Sequence, residues 1–235
     1  MNIFKRAAYK VYSSLGREVC RREYLSQSSA ELNERAIEYS FALRCVWRTS
    51  AQTVLDVGSG YSPWPALLAK CGCIVTAIDS MDDYWVGSIF NRHFHIIKDD
   101  VTQPKLSKTF DLVTCISTLE HIPNHQDAIR GMFSLLKPEG YLVLTVPYNE
   151  SRYVENVPCG YASGKPNICQ VFSRQEVNLW LEKNQGKIVE QRYFEMFDGP
   201  LYLSGNWISP PREVSVTGKH HLTLILVQRM GKANA

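Results

Sequence analysis

Val54-Leu55-Asp56-Val57-Gly58-Ser59-Gly60-Tyr61-Ser62-Pro63 is the stretch whose reading decides the fold. An apolar run enters a glycine pair, and Ser62 followed by Pro63 supplies an N-cap and a first helical residue. Such a turn presents bare backbone amides to a ligand at a helix start. A single G-x-G is weakly diagnostic, and the dinucleotide fingerprint requires a further glycine where Pro63 stands. Asp56, two residues before Gly58, would also repel a pyrophosphate, so a cationic guest, an ammonium or a sulfonium, suits the loop better.

Outward from this loop, short β-branched runs alternate with helical segments, the mark of a βαβ series with a buried parallel sheet. Strands are expected at residues 53–57, 74–78, 94–98, 112–116, 142–146, 187–192 and 222–228, seven in all. Helices are expected near 64–70, 83–90, 126–136 and 174–183, with Pro138-Glu139-Gly140 ending the third and Ser173 capping the fourth. Gly199, Pro200, Gly205, Pro210 and Pro211 forbid a long helix before the final strand, which is therefore expected to be antiparallel. The fold class that follows is α/β, with a doubly wound, seven-stranded, mostly parallel sheet.

Residues 1–52 read as helical. Phe4, Ala8, Val11, Leu15 and Val19 form a stripe at helical spacing, with Lys5, Arg6, Lys10, Arg17, Arg21 and Arg22 largely off it. The stripe has two readings: a helix packed on its own domain, which is the expectation, or a basic amphipathic helix on an anionic membrane. A second helix, near 29–48, places Ala36, Ile37, Phe41, Leu43 and Val46 on an apolar side and Glu31, Glu34, Arg35 and Glu38 on a polar one.

Further polar residues stand where strands end. Asp79, followed by Ser80, closes the second strand, and an acidic residue there can accept both hydroxyls of a ribose, which implicates an adenosine. The third strand ends in Lys98-Asp99-Asp100-Val101. A carboxylate here can accept from an exocyclic amine; Asp100 is the expected contact, and the alternative is a turn or N-cap role for either aspartate. The fourth signal runs from Phe110 to Ile122, a buried strand that stops at the polar residues of Ser117-Thr118-Leu119-Glu120-His121-Ile122 beside the same strand-end crevice.

Together these motifs resemble a class I S-adenosylmethionine-dependent methyltransferase, of the type 11-like kind with a Leu119-Glu120-His121-Ile122 motif after strand four. Leu135 to Leu144 matches the segment around strand five, so residues 53–148 carry all the motifs in order. The resemblance implies a Rossmann-like fold and S-adenosyl-L-methionine as cofactor, with S-adenosyl-L-homocysteine as product. It further implies that Asp56, Gly58, Ser59 and Gly60 line the methionine end and that Asp79 with Ser80 holds the ribose. Asp100 and Val101 frame the adenine, and Ile116 and Ser117 close the pocket. In this family the loop usually has a third glycine; here that position is Ser62, within a bulky Tyr61-Ser62-Pro63-Trp64-Pro65 segment.

Methyl transfer from a sulfonium is an in-line displacement that needs orientation and dryness more than a dedicated catalytic group. For a hydroxyl acceptor a base helps, and His121 is the candidate; the alternative is a structural histidine. Glu120-His121 is similar to part of the metal site in some oxygen methyltransferases, but Ser117 stands where those carry another carboxylate, so no bound metal is expected. Ser117-Thr118-Leu119-Glu120 replaces the Asn/Asp-Pro-Pro-aromatic signature of amine and amide methyltransferases. No basic patch interleaved with aromatics accompanies the motifs, which disfavours nucleic acid. The leading expectation is methylation of a small-molecule acceptor, at oxygen. An RNA methyltransferase and a catalytically silent protein that keeps the fold are the alternatives. The acceptor pocket is expected from residues 148–172 and 196–221, with Tyr148, Tyr153, Tyr161, Trp207, His220 and His221.

Composition agrees with one soluble domain: 235 residues, 45% hydrophobic and 21% charged, with a net charge of +3. That domain is expected to comprise a helical extension over 1–52, a cofactor-binding half over 53–148, and substrate loops with the last strands over 149–235. Seven scattered cysteines without a C-x-x-C pair point to a reducing cytoplasm, and neither a signal peptide nor a membrane span is expected.

Overall fold

The computed structural model describes residues 3–25, 33–81, 91, 93–162 and 165–231. The chain divides into two compact units, Met1–Leu32 and Asn33–Ala235. The described residues of the first form the helix α1 (Ile3–Leu25). Among the described residues no helix is long and apolar enough to cross a membrane.

The second unit is built on β1 (Thr53–Val57), β2 (Ile74–Asp79), β3 (Ile97–Lys98), β4 (Phe110–Ile116), β5 (Leu136–Pro147), β8 (Gly186–Phe197), β9 (Trp207–Val214) and β10 (Leu222–Arg229), between which β6 (Val154–Ala162) and β7 (Lys165–Val171) form a separate hairpin. The eight sheet strands lie in the order β3-β2-β1-β4-β5-β10-β8-β9. Strands β1 to β5 pair in parallel, while β10 is antiparallel to both β5 and β8. The helices of this unit are α2 (Arg35–Thr49), α3 (Trp64–Lys70), α4 (His125–Ser134) and α5 (Arg174–Asn184).

Alternation along the strands explains the two-sided winding, because successive side chains leave opposite faces. Leu55 and Val57 join the core under α4 and α5, with Ile129, Met132, Val177 and Trp180. Val54, one residue before Leu55, joins the core under α2 and α3, with Phe41, Cys45, Trp64 and Leu68. In β4, Val113 and Cys115 face the first core and Leu112 and Ile116 the second. Both faces are covered, which is why these strands read as continuous apolar runs.

The expected α/β fold, antiparallel last strand and α3 at 64–70 are present, and Ser173 caps α5 in a reciprocal box with Glu176. The sheet, however, has eight strands rather than seven. The added strand, β9, carries Pro210 and Pro211 and lies at the edge, where a missing N–H interrupts no ladder on the open side. Residues 148–172, read as loop, instead hold the β6–β7 hairpin. The expected third helix ends earlier, at Ser134, and Pro138-Glu139-Gly140 lies inside β5 as a bulge, with four residues of β5 set against Asp111 of β4. The strand expected at 94–98 is confined to Ile97–Lys98, and the helix expected at 83–90 lies outside the described residues.

Helix α4 approaches the turn after β3 closely. A Cβ on Gly131 would come within 1.8 Å of the Val101 carbonyl oxygen. Gly131→Ala must therefore displace the helix or the turn, and urea denaturation should show a loss of about 1–3 kcal/mol; an unchanged midpoint would mean that this contact is soft.

Candidate functional site

The glycine loop sits at the carboxyl end of β1, where strand order reverses between β2 on one side and β4 on the other. Gly58 and Gly60 adopt φ of +74° and +46°. A Cβ on Gly58 would stand 2.0 Å from the Thr118 side chain, so the loop can pass the end of β4 only with glycine there. The amides of Gly58 and Ser59 donate to the Ile78 carbonyl at 2.9 and 3.3 Å. Gly60 N and Met81 N each donate to one oxygen of Asp79, at 3.0 and 2.8 Å.

Beyond the glycines, Pro63 stands at the N-cap of α3 where Ser62 was expected, and Ser62 Oγ, one residue earlier, accepts from Trp64 N at 3.1 Å. It also pairs with Tyr39 OH at 2.9 Å, while the Tyr39 ring stacks on Trp64 with centroids 5.0 Å apart. Asn91 Nδ2 donates to the carbonyls of Gly60 and Ser62. The bulky segment after the loop is thus packed from α2 and tied from residue 91.

Asp56 lies beneath the loop. It is buried, its Oδ2 accepting from Ser59 Oγ at 2.6 Å and its Oδ1 from Thr114 Oγ1 at 2.8 Å, and Thr114 Oγ1 in turn accepts from Trp64 Nε1 at 3.2 Å. Burial pushes this carboxyl up to about 7 against the two hydroxyl donors. Asp56 and the Ser59 side chain thus brace the loop from below.

The two aspartates after β3 separate cleanly. Asp99 is buried and accepts from the amides of Asp100, Lys105 and Leu106, which makes it the organiser of the turn. Asp100 is exposed, with one oxygen accepting from Thr102 N and Oγ1. Val101 is buried against α4, and Ser80 is exposed just past Asp79.

At the end of β4, Ile116 is buried and Ser117 takes φ of +42°. Ser117 Oγ and Thr145 Oγ1 both donate to Glu38 Oε1, at 2.5 and 2.6 Å, and Arg35 pairs with Glu38 Oε2 at 2.8 Å. Glu38, placed on the polar side of its helix by the sequence reading, is fully buried. Its spacing held the signal: residues 38, 41, 42, 45 and 46 are the buried stripe of α2, whereas Ala36 is exposed. Glu120 is also buried, with its Oε2 lacking a hydrogen-bond partner among the described residues. Burial, together with the nearby Glu38 charge, pushes its carboxyl up to about 8. His121, half-buried, ends the turn Leu119–His121, its amide donating to the Thr118 carbonyl at 3.0 Å.

The segments expected to form the acceptor pocket are held by packing and hydrogen bonds. His221 Nδ1 accepts from the amides of Met196 and Phe197, and its Nε2 meets the Gly199 carbonyl at 3.1 Å. His220 stacks on Tyr193 at 4.4 Å, and Trp207 packs edge-on against Phe197. Tyr148 OH donates to Glu150 and Tyr153 OH to Gln170. The side chain of Tyr161 lies outside the described part of the structure.

Glu120 ionises near 4.5 in a free chain and near 8 in the fold. Between these values the folded state keeps a proton that the unfolded state has released, so its stability falls as pH rises, and the penalty is complete above about 8. Glu120→Gln should therefore show a shallower decline of melting temperature from pH 5 to 8 than the native chain; parallel curves would place the ionisation elsewhere.

The chain is similar to known proteins in sequence and in fold. Residues 21–191 match the model of a methyltransferase-domain family. A ubiquinone biosynthesis O-methyltransferase of Coxiella burnetii is 33% identical over 150 residues, 58% of this chain and 64% of that protein. The mitochondrial ubiquinone biosynthesis O-methyltransferase of Schizosaccharomyces pombe is 30% identical over 104 residues, 41% of this chain and 38% of that protein. The chain thus spans less than two thirds of either relative. Among solved structures, an S-adenosylmethionine-dependent methyltransferase from Clostridium acetobutylicum superposes with TM-score 0.58 at 11% identity, covering 95% of this chain and all of that one. The 1,6-didemethyltoxoflavin-N1-methyltransferase of Burkholderia thailandensis, solved with 1,6-didemethyltoxoflavin and S-adenosylhomocysteine, superposes with TM-score 0.56 at 16% identity over 98% and 91% of the two chains. The protein belongs to the methyltransferase-domain family and has the fold of class I S-adenosylmethionine-dependent methyltransferases.

Proposed function

We propose that the protein transfers a methyl group from S-adenosylmethionine to an oxygen of a small-molecule acceptor and releases S-adenosylhomocysteine. The observation that carries this reading is the arrangement of loop and carboxylates at one strand edge. Gly58 and Gly60 leave the backbone bare, Asp79 faces the loop across its amides, and Asp100 presents an exposed carboxylate at the end of β3. These residues fit the cofactor. Asp79, with Ser80 beside it, would hold the ribose hydroxyls, and Asp100 and Val101 would frame the adenine. Gly58, Ser59 and Gly60 would line the methionine end over the Asp56 brace, and Ile116 with Ser117 would form the floor. When bound, the cofactor supplies an already activated methyl group, so the chain's task is to orient the acceptor and exclude water. His121 is the proposed base: an imidazole nitrogen takes the acceptor hydroxyl proton as the new C–O bond forms.

The names of the relatives, O-methyltransferases of ubiquinone biosynthesis, support oxygen as the acceptor atom. The modest charge of +3 supports a small acceptor over a polyanion. All seven cysteines are free, which supports a reducing, cytoplasmic setting.

Calorimetry with S-adenosylmethionine and S-adenosylhomocysteine tests the first step. Asp79→Ala should weaken both by about 1–3 kcal/mol if the carboxylate bonds the ribose, and a native chain that binds neither ligand overturns the reading. Incubation with methyl-labelled cofactor and separate small-molecule and RNA fractions tests the acceptor. Label is expected in the small-molecule fraction on oxygen, and His121→Ala should remove the acidic limb of the pH–rate profile; label in RNA or on nitrogen refutes that part.

A further inference from the structure

The positive charge of the chain is concentrated in α1. Between Ile3 and Leu25 stand Lys5, Arg6, Lys10, Arg17, Arg21 and Arg22 against Glu18 and Glu23, a net of +4, whereas the whole chain carries +3. The other residues together are therefore slightly acidic. The same helix carries Phe4, Val11, Leu15 and Val19 in one stripe with Tyr12 at its border, all exposed, Phe4 by 79% and Leu15 by 64%. Among the described residues of its unit, no other element covers this stripe.

We propose that α1 lies in the plane of an anionic lipid surface. Phe4, Val11, Tyr12, Leu15 and Val19 enter the boundary between headgroups and acyl chains, and the basic side chains meet the headgroups. At 23 residues the helix is about 35 Å long, enough to spread its charges over several lipids. On a 3.6-residue turn Lys5 borders the stripe and Arg22 falls within it, where their long stems let the charged ends reach headgroups while the stripe is immersed, and Arg6, Lys10, Arg17 and Arg21 form the opposite, polar face. Each basic residue near an anionic leaflet adds attraction, which gives the charge excess of this helix a use that a neutral packing partner would not.

Two other occupants fit less well. A second copy of the helix would pair along a 3.5-residue seam, and the seam through Phe4, Ala8, Val11 and Leu15 continues onto Glu18 and Arg22. It would end in charge after about two heptads. A nucleic acid would use the basic side and leave the apolar stripe in water, while Arg21 and Arg22 already share Glu18 at 2.9 and 3.2 Å.

The test is co-sedimentation of the full chain with vesicles of phosphatidylcholine alone or with an equal share of phosphatidylglycerol. Binding to the anionic vesicles should exceed binding to neutral ones by at least about tenfold and weaken with salt. The Phe4→Glu/Leu15→Glu pair should abolish it, and Lys5→Glu/Lys10→Glu/Arg21→Glu should reduce it severalfold. Phe4→Ala/Leu15→Ala, which preserves helix propensity, should also lose most binding, so misfolding cannot account for the effect. The proposal is overturned by no vesicle binding, by equal binding to both vesicle types, or by binding that the alanine pair leaves intact. Light scattering adds an independent outcome: a dimer dissociated by the alanine pair would assign the stripe to a second copy and also overturn it.

Discussion

One carboxylate withdrawn from water holds the open edge of the sheet together. Asp56 stands one residue before the end of β1, beneath the glycine loop, and without partners its burial would cost several kcal/mol. Ser59 and Thr114 supply the donors, and Thr114 passes the connection on to Trp64. Loop, β4 and α3 are therefore held in one polar network at the point where strand order reverses. The cost of burying Asp56 is offset only when all of these parts are in place, so the network specifies the loop as well as stabilising it.

A second network does for the next strand ends what Asp56 does for the loop. Glu38 of α2 gathers Ser117, Thr145 and Arg35, and so joins a helix that precedes the sheet to the ends of β4 and β5. Ser117 is held at positive φ, a conformation that a surrounding network must pay to maintain. Glu120 stands near enough to feel the Glu38 charge and keeps its proton at neutral pH.

The parts of the fold legible from sequence were those in which local pattern and tertiary use agree. Strand β1 and helix α3 lie at their expected residues, Asp79 closes β2, and Ser173 caps α5. Each is set by a short-range rule: apolar alternation, glycine at positive φ, a hydroxyl at a helix start. The residues missed were those whose role depends on a distant partner. Glu38 and Glu120 carry no local mark of burial beyond spacing, and the carboxylate of Asp56 points to a brace only once Thr114 is beside it. Strand β9 was hidden by Pro210 and Pro211, which a sheet tolerates only at an edge that the sequence does not locate.

By itself, then, the sequence determined the alternating strands and helices, the glycine turn and the family, because these depend on periodicity and on residues within a few positions of one another. It also determined the charge pattern of α1, which needs only a helix to become a face. Tertiary structure alone decided which carboxylates are exposed and which are buried, that Asp99 builds the turn while Asp100 faces solvent, and that the sheet gains an eighth strand. Those outcomes turn on desolvation and hydrogen bonding between residues far apart in the chain, energies that exist only after the strands have assembled.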